Sequence, residues 1–313
     1  MRIAVLTGPG RFEIEEVDRP VPAPDEVLVR VAACGVCSSE HAAFAGDGGD
    51  YPRSIGHEVS GTVVEVGPSV TGLAAGDPVG CWVTSHGFAE YVAVQGAYCV
   101  PAGDVPLDEA LAEPLACAVN AVEEADVRLG DDVVLIGAGF MGNLVQSLVA
   151  LRGARQLIVA DTRPDALARA ATLGATRVVD VRSESLTEVV AAATGGRGAD
   201  LTFEATGSQA ALDVVGQTTR MSGKVVLVGY HQGEPRRIDL AHWNWMAFGI
   251  VNAHYRDIAV IMRGMEVGMR LLVAGRLSLA PLVSHRFPLE RIGAAFETAR
   301  AKPDGFVKAV VTM

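Results

Sequence analysis

The chain has few cysteines for its length, and their number is odd. Five occur in 313 residues, at positions 34, 37, 81, 99 and 117. Folds that depend on disulfides carry many more cysteines, in even numbers. Disulfide cross-linking is therefore not expected, and the sequence indicates a reducing, cytoplasmic setting.

Long apolar runs and an excess of positive charge are also lacking. No segment approaches the ~18 consecutive apolar residues that a membrane span needs. The apolar run near the N-terminus is too short for a signal peptide. The 26 lysines and arginines are outnumbered by 37 aspartates and glutamates, which gives a net charge of −11. Neither nucleic acid nor a membrane is therefore expected as a partner.

A cluster of metal-binding residue types does occur, in the stretch CGVCSSEHAAFAGDGGDYPRSIGHE from Cys34 to Glu58. Thiolate and imidazole groups are common zinc ligands, and a catalytic zinc site keeps one position open. A structural zinc site would need two close pairs, whereas a single C-x-x-C is present. We interpret Cys37, His57 and Glu58 as ligands of one catalytic zinc.

A redox function of the C-x-x-C motif is an alternative interpretation. In a thioredoxin-like fold such a pair opens a helix that follows a strand. Here Gly35 lies inside the motif, and an acidic, glycine-rich segment follows it. The dipeptide His57-Glu58, taken alone, could also be an ordinary hydrogen-bonded pair.

Two different patterns divide the chain. Residues 1 to about 101 are predicted to form short strands between glycine and proline turns, which is typical of a small, β-rich, barrel-like unit. In EVLVRV the alternation places Val27, Val29 and Val31 on one face. Beyond about residue 105, apolar strands alternate with helices and predict a parallel sheet. The segment WNWMAFGIVNAH is expected to be the last strand of that sheet.

A G-x-G-x-x-G turn in VVLIGAGFMGNLVQS is formed by Gly137, Gly139 and Gly142. It follows a predicted strand and opens a predicted helix, which is the context of a dinucleotide-binding turn. The helix N-terminus, with Phe140 and Met141, is expected to contact the pyrophosphate of the cofactor.

Asp161 ends the next predicted strand and bears on the choice of cofactor. Its carboxylate would accept hydrogen bonds from the adenosine ribose hydroxyls and would repel a 2′-phosphate. The sequence therefore favours NAD over NADP. Arg163, two residues further on, could weaken that preference.

With both motifs identified, the chain resembles the medium-chain dehydrogenase/reductase superfamily, in its zinc-dependent alcohol, sorbitol and threonine dehydrogenase branch. The similarity extends nearly end to end and includes GVCSSE, GHEVSGTVVEVG, GFAEYV, EPLACAVNAV, GAGFMG and PLVSHRFPLERIGAAFE. It implies an α/β protein with a GroES-like β-rich catalytic domain at residues 1–118 and 255–313. A Rossmann domain with a doubly wound parallel sheet is implied at residues 119–254, and the assembly is expected to be a homodimer or homotetramer.

The resemblance also implies which residues surround the zinc. Cys37 and His57 match zinc ligands, and Glu58 matches a ligand or a residue close beside the metal. Glu113 matches a glutamate that polyol and threonine dehydrogenases place near the metal. Cys117 is an alternative ligand, although a buried, apolar role suits it better.

Proton transfer and cofactor binding are assigned on the same basis. Ser39 matches the hydroxyl that receives the proton of the substrate, and Glu40 matches an acidic residue that orients the zinc ligands. The positions expected to contact the cofactor are Thr206, Gly207, Val228, Gly229 and Lys308, the last at the pyrophosphate.

The chain departs from the family pattern in two places. A lobe with four cysteines usually separates GDPV from GFAEY, but here only GCWVTSH fills that gap. We therefore expect no structural zinc and one zinc per chain. In addition, Ala42 occupies the position of the histidine that ends the proton relay. The relay could then pass through His41, through His86 or directly to bulk water.

These features predict a zinc-dependent enzyme that transfers a hydride between NAD and a small-molecule secondary alcohol or ketone. Glu113 favours a polyol, sugar, cyclitol or amino alcohol. A reductase of C=C, C=N or quinone groups is a second candidate, but such members commonly lose the zinc ligands. A third candidate is a non-catalytic dinucleotide-binding sensor, and the presence of Ser39 beside Cys37 argues against it.

Overall fold

The structure, a computed structural model, describes residues 1–47 and 49–313, and the chain divides into two compact units. We call Met1–Ala116 together with Ile258–Met313 the outer unit, and Cys117–Asp257 the inserted unit. The predicted boundaries, at 118/119 and 254/255, lie within three residues of these limits. Among the described residues, none of the helices combines the length and apolar character needed to cross a bilayer.

The strands follow the predicted pattern of short apolar segments that end at glycine or proline turns. In chain order they are β1 (Arg2–Gly8), β2 (Arg11–Glu16), β3 (Glu26–Gly35), β4 (Glu58–Val66), β5 (Pro78–Trp82), β6 (Tyr91–Gln95), β7 (Cys99–Pro101), β8 (Asp132–Ile136), β9 (Gln156–Asp161), β10 (Arg177–Asp180), β11 (Ala199–Glu204), β12 (Thr219–Leu227), β13 (Gly249–Asn252), β14 (Val283–Pro288) and β15 (Lys308–Thr312).

The helices lie where apolar residues recur at helical spacing. In chain order they are α1 (His41–Ala45), α2 (Ala112–Ala125), α3 (Phe140–Arg152), α4 (Pro164–Thr172), α5 (Leu186–Thr194), α6 (Gln209–Thr218), α7 (Leu240–Trp245), α8 (Ile258–Val273) and α9 (Ile292–Ala301).

A seven-stranded sheet organises the outer unit, with the order β14-β15-β3-β4-β5-β7 and with β6 also paired to β3. Strands β3 and β4 are antiparallel, and Gly35 lies opposite Glu58. Strand β15 pairs with the other edge of β3, so the C-terminal tail returns to the outer unit as predicted. The predicted valines of β3 are buried in the core of this unit.

The inserted unit contains a six-stranded sheet with the order β10-β9-β8-β11-β12-β13, in which neighbouring strands are parallel. Strand β8 is buried along its whole length, which suits a sheet covered on both faces. The strand order reverses between β8 and β11. In sheets of this type, ligands bind beyond the carboxyl ends of the strands at such a switch point.

The prediction that WNWMAFGIVNAH forms one strand is wrong for its first half. Trp243 and Trp245 lie on helix α7, and the strand β13 begins only at Gly249. Asp239 caps the helix by accepting a hydrogen bond from the backbone N–H of His242 at 3.0 Å. Aromatic residues favour strands, but this N-terminal cap and the burial of Trp243 stabilise a helical turn instead.

Candidate metal centre and dinucleotide turn

Strand pairing brings the predicted zinc ligands together across twenty residues of sequence. Cys37 lies two residues beyond the end of β3, and His57 directly precedes β4. Because Gly35 and Glu58 are partners in the antiparallel ladder, the end of β3 lies beside the start of β4. The ligand atoms of Cys37, His57 and Glu58 all lie within 4.8 Å of one another.

Glu40 contacts both His57 and Cys37 and so orients these two candidate ligands. Its Oε1 accepts a hydrogen bond from the backbone N–H of Gly56 at 2.7 Å and lies 3.0 Å from Nδ1 of His57. Its Oε2 accepts a longer bond from the Cys37 N–H at 3.4 Å. Since a carboxylate only accepts, Nδ1 of His57 carries the proton, and Nε2 is left for a metal. Glu40 therefore makes the contact that the resemblance implied.

Glu58 provides a test of whether a cation fits the cluster. The residue is 1% exposed, its Oε1 accepts from Lys308, and its Oε2 is buried without a hydrogen-bond partner. A Cβ atom on Gly35 would lie 2.1 Å from this Oε2, so only glycine leaves room for the carboxylate. A buried, unsatisfied oxygen beside a thiol and an imidazole nitrogen is a donor set that suits zinc.

Lys308 lies against the candidate metal cluster. Its ammonium is 2.6 Å from Oε1 of Glu58, and the residue is 5% exposed. Burial alone would lower the pKa of Lys308, but the neighbouring carboxylates of Glu58 and Glu113 contribute to a net rise. The described contact is thus with Glu58, and the predicted contact of Lys308 with the pyrophosphate stays a prediction.

The charge around His57 favours a bound cation. Burial would lower the pKa of its imidazole, but hydrogen bonds with Cys37 and Glu40 outweigh burial and raise the pKa to about 12. A proton held this firmly reflects an excess of negative charge on the surrounding groups. A divalent cation would compete for the same place, since only the neutral ring can act as a ligand.

Ser39 lies beside the same thiol. Its Oγ is 3.2 Å from Sγ of Cys37, to which it donates, and the residue is exposed to solvent. A hydroxyl in contact both with a ligand sulfur and with water can pass a proton between the cluster and bulk solvent.

Glu113 and Cys117 lie on helix α2, outside the close cluster. Glu113 is half-buried in the first turn of the helix, and Cys117, which is not in a disulfide, lies one turn later. Over residues 1–47 and 49–313, the group of ligand atoms close enough to hold a metal consists of Cys37, His57 and Glu58. The role of Glu113 at the metal therefore stays a prediction.

The two histidines considered for the proton relay occupy different surroundings. The ring of His41 packs 6.2 Å from that of Phe296, and its Nε2 is buried without a hydrogen-bond partner. A relay through His41 stays a prediction. His86 lies in an exposed loop, where its Nδ1 is 2.7 Å from Oγ of Ser85.

The glycine turn in the inserted unit has the predicted form. Gly139 precedes α3, which begins with Phe140 and Met141. A Cβ atom on Gly142 would lie 1.9 Å from the carbonyl oxygen of Gly137, so glycine is required for the helix to pack this closely on the turn. An added Cβ on Gly139 would meet nothing within 4 Å, which leaves space for a ligand to approach the backbone.

Asp161 holds this turn in place at the end of β9. Its Oδ2 accepts a hydrogen bond from the Ala138 N–H at 2.7 Å, and its Oδ1 accepts one from the Arg163 N–H at 2.8 Å. The carboxylate thus lies at the carboxyl edge of the sheet, beside the glycine turn. Its predicted contact with a ribose stays a prediction.

Glu204, which the sequence analysis did not identify, holds the two loops that are expected to contact the cofactor. The side chain is fully buried, and its Oε1 accepts from the N–H groups of Thr206 and Gly207 at 2.7 and 2.9 Å. Its backbone carbonyl accepts from the N–H groups of Val228 and Gly229, both at 2.8 Å.

His231 completes this arrangement, with Nε2 2.9 Å from Oε2 of Glu204. The signal that could have identified Glu204 is a carboxylate inside the buried strand ADLTFE, where a charge needs partners.

Comparison with known proteins extends these observations over both units. The model of the alcohol dehydrogenase GroES-like domain matches residues 23–104, and that of the zinc-binding dehydrogenases matches residues 141–266. The sorbitol dehydrogenase of Gallus gallus is 31% identical over 335 residues, which cover 93% of this chain and 91% of the relative. The L-galactonate-5-dehydrogenase of Escherichia coli strain K12 is 27% identical over 344 residues, and the aligned region covers 100% of this chain and 99% of the relative.

A solved structure is similar to this chain over its whole length. The alcohol dehydrogenase TADH from Thermus sp. ATN1 has a TM-score of 0.87 at 25% identity, with 100% of this chain and 99% of that chain covered. The predicted fold class, a GroES-like domain with a Rossmann domain, is confirmed by these matches.

Proposed function

The chain belongs to the zinc-binding dehydrogenase family, and we propose that it oxidises the secondary alcohol of a polyol, sugar, cyclitol or amino alcohol, or reduces the corresponding ketone. It is an alcohol dehydrogenase of the zinc- and NAD(P)-dependent kind. The close approach of the Cys37, His57 and Glu58 ligand atoms, within 4.8 Å, is the observation that carries the proposal. The polyhydroxylated substrate is supported by the sorbitol and L-galactonate dehydrogenases among the relatives.

Five residues of the outer unit have defined roles in this proposal. Cys37, His57 and Glu58 would hold zinc, with Glu113 as a further ligand or neighbour. When bound, zinc acts as a Lewis acid toward the substrate oxygen, and NAD accepts the hydride. Ser39 takes the proton of the substrate hydroxyl and passes it to solvent, and it returns a proton in the reverse direction.

The inserted unit supplies the cofactor site in this proposal. The N-terminus of α3, with Phe140 and Met141 in its first turn, would face the pyrophosphate. Asp161 favours NAD over NADP, because a 2′-phosphate would meet its carboxylate. None of the five cysteines is in a disulfide, which supports a reducing compartment, so we assign the protein to the cytoplasm.

A homo-oligomer is supported by the exposed edge of the inserted unit. Strand β13 ends the six-stranded sheet, and Ile250 on it is 50% exposed. Nearby in sequence, Trp245 is 78% exposed and Leu240 is 52% exposed. An apolar edge strand with free backbone groups is a template for pairing with a second copy of the same strand. A homodimer or homotetramer formed through this edge would bury these side chains.

The proposal is tested by metal analysis of the purified protein together with a screen of polyols and ketones that follows NADH absorbance. We expect about one zinc per chain, and NADH formation with at least one polyol. Cys37→Ser should abolish turnover while NAD binding persists, because the cofactor site lies in the inserted unit. A protein that binds NAD but turns over none of the alcohols or ketones would contradict the proposal and favour the non-catalytic sensor.

A further inference from the structure

Cys81 and Cys99 face each other across two antiparallel strands of the outer unit. They are direct partners in the pairing of β5 with β7, and their Sγ atoms lie 3.7 Å apart. The neighbouring pair, Trp82 and Tyr98, packs edge to face at 5.3 Å between ring centroids. On the other side of the cysteines, Gly80 pairs with Val100, so the register that brings the two sulfurs together is held on both sides.

The two thiols differ in their access to solvent. Cys81 is fully buried within the apolar core, whereas Cys99 is half-buried and packs at the edge of that core. A small oxidant can therefore reach Cys99 but not Cys81 directly. The hydrogen bond with Cys99 raises the pKa of the Cys81 thiol, and burial raises it further. Cys81 is therefore the less reactive thiol until Cys99 has been oxidised.

We propose that Cys81 and Cys99 are a peroxide-sensitive pair that forms a reversible disulfide. Antiparallel partners stand at a Cα separation that a disulfide can span, and the sulfurs need to close from contact distance to roughly 2 Å. A pair of this kind, with one accessible thiol and one resolving thiol beside it, is the arrangement of redox-responsive cysteines in reducing compartments.

The reaction balances with hydrogen peroxide as the oxidant. The thiol of Cys99 gives up its proton, and its sulfur attacks one peroxide oxygen, so that an S–O bond forms and the O–O bond breaks. The leaving hydroxide takes up that proton and departs as water. The sulfur of Cys81 then attacks the sulfur of Cys99, so that the S–S bond forms and the S–O bond breaks, and the second hydroxide departs as water with the thiol proton of Cys81. The two sulfurs together lose two electrons, and the peroxide gains them.

The bond would form within the sheet that carries the metal cluster. Strand β5 pairs with β4, and Trp82 stands opposite Glu58 in that pairing. Gly80 on the same strand packs so closely on Ala112 that an added Cβ would lie 2.6 Å from it. The disulfide would therefore tie β7 to the strand that supports Glu58, without using any of the candidate zinc ligands.

The test uses the full-length, zinc-loaded protein treated with hydrogen peroxide. The protein is then denatured with a zinc chelator, so that every cysteine is accessible, before thiol titration and peptide mapping by mass spectrometry. We expect the free thiols to fall from the five in the sequence to three, with Cys81 and Cys99 joined in one cross-linked peptide pair. Dithiothreitol should restore all five thiols. Wild-type mapping alone decides the outcome, whether or not the variants fold.

Matched variants separate this pair from the other cysteines. Cys99→Ser and Cys81→Ser should each abolish the cross-link, whereas Cys117→Ser should keep it. The proposal would be overturned if Cys99 progressed to sulfinic acid while Cys81 remained a thiol, or if the cross-link joined any other two cysteines.

Discussion

The ammonium of Lys308 lies 2.6 Å from Oε1 of Glu58, and both residues are almost wholly buried. Removing one partner of a buried ion pair leaves the other charge without compensation, which costs more than the pair itself contributes. Because the two residues are 250 positions apart, their contact ties β15 to β4 beside the candidate metal centre.

Replacing Lys308 by methionine should therefore destabilise the outer unit. We expect the free energy of unfolding of the metal-free protein to fall by about 3–5 kcal/mol, measured by urea denaturation. The double variant Glu58→Gln, Lys308→Met removes both charges and should recover most of that loss. Arg2→Met, which breaks the partly exposed ion pairs of Arg2 with Glu90 and Glu290, is the control and should cost much less.

Zinc binding should release a proton from His57. The pKa of this imidazole is about 12 without metal, above its ordinary value of 6.5, so the ring is protonated at neutral pH. That proton stabilises the metal-free fold fully below pH 6.5, and the stabilisation is lost as the pH rises toward 12. Zinc needs the neutral ring, so its affinity should increase with pH.

Calorimetry of zinc binding in buffers of different ionisation enthalpy measures this release, and we expect at least one proton per zinc. Glu40→Gln removes one of the groups that raise the pKa of His57, and it should weaken the dependence of affinity on pH. A zinc affinity that did not change with pH would show that His57 does not bind the metal.

Replacing Ser39 by alanine should impair proton transfer without removing the metal. We expect kcat to fall by about 10²–10⁴-fold, while the zinc content stays at the wild-type level because Cys37 keeps its sulfur. Ser69→Ala, at an exposed serine of the same unit, is the matched control. A Ser39 variant as active as the wild type would remove this hydroxyl from the mechanism.

Replacing Glu204 by glutamine should weaken the binding of NAD. The carboxylate accepts hydrogen bonds from the loop that begins at Thr206 and contacts His231 on the next loop. Loss of a charged hydrogen bond costs about 1.5–3 kcal/mol, so we expect NAD binding, measured by calorimetry, to weaken at least roughly tenfold. Asp213→Asn, at an exposed helical carboxylate, should leave NAD affinity unchanged, and an equal effect of both variants would contradict the role of Glu204.

Replacing Ile250 by aspartate should dissociate the oligomer. A charge on the exposed face of β13 would oppose the approach of a second copy of this edge. We expect the mass measured by light scattering to fall to that of a smaller assembly. Val21→Asp changes an 87% exposed valine elsewhere on the chain and should leave the mass as in the wild type. A wild-type protein that is monomeric would refute the proposed edge contact.

Local sequence pattern was sufficient for much of the fold and for part of the site. Spacing identified the glycine turn at Gly137, because this motif marks a dinucleotide-binding turn. The residue types at Cys37 and His57 identified candidate zinc ligands, because thiolate and imidazole groups commonly bind zinc. The helix at Trp243 could not, because aromatic residues suit either structure and the cap at Asp239 decides between them.

By itself, the sequence determined which chemical groups are present and which short segments become strands, helices and turns. The tertiary structure alone decided that Lys308 pairs with Glu58, that Glu204 holds two loops, and that Cys81 meets Cys99. The physical reason is that these contacts depend on strand register and on burial. Both arise when segments distant in sequence pack together, and no local pattern of residues reports them.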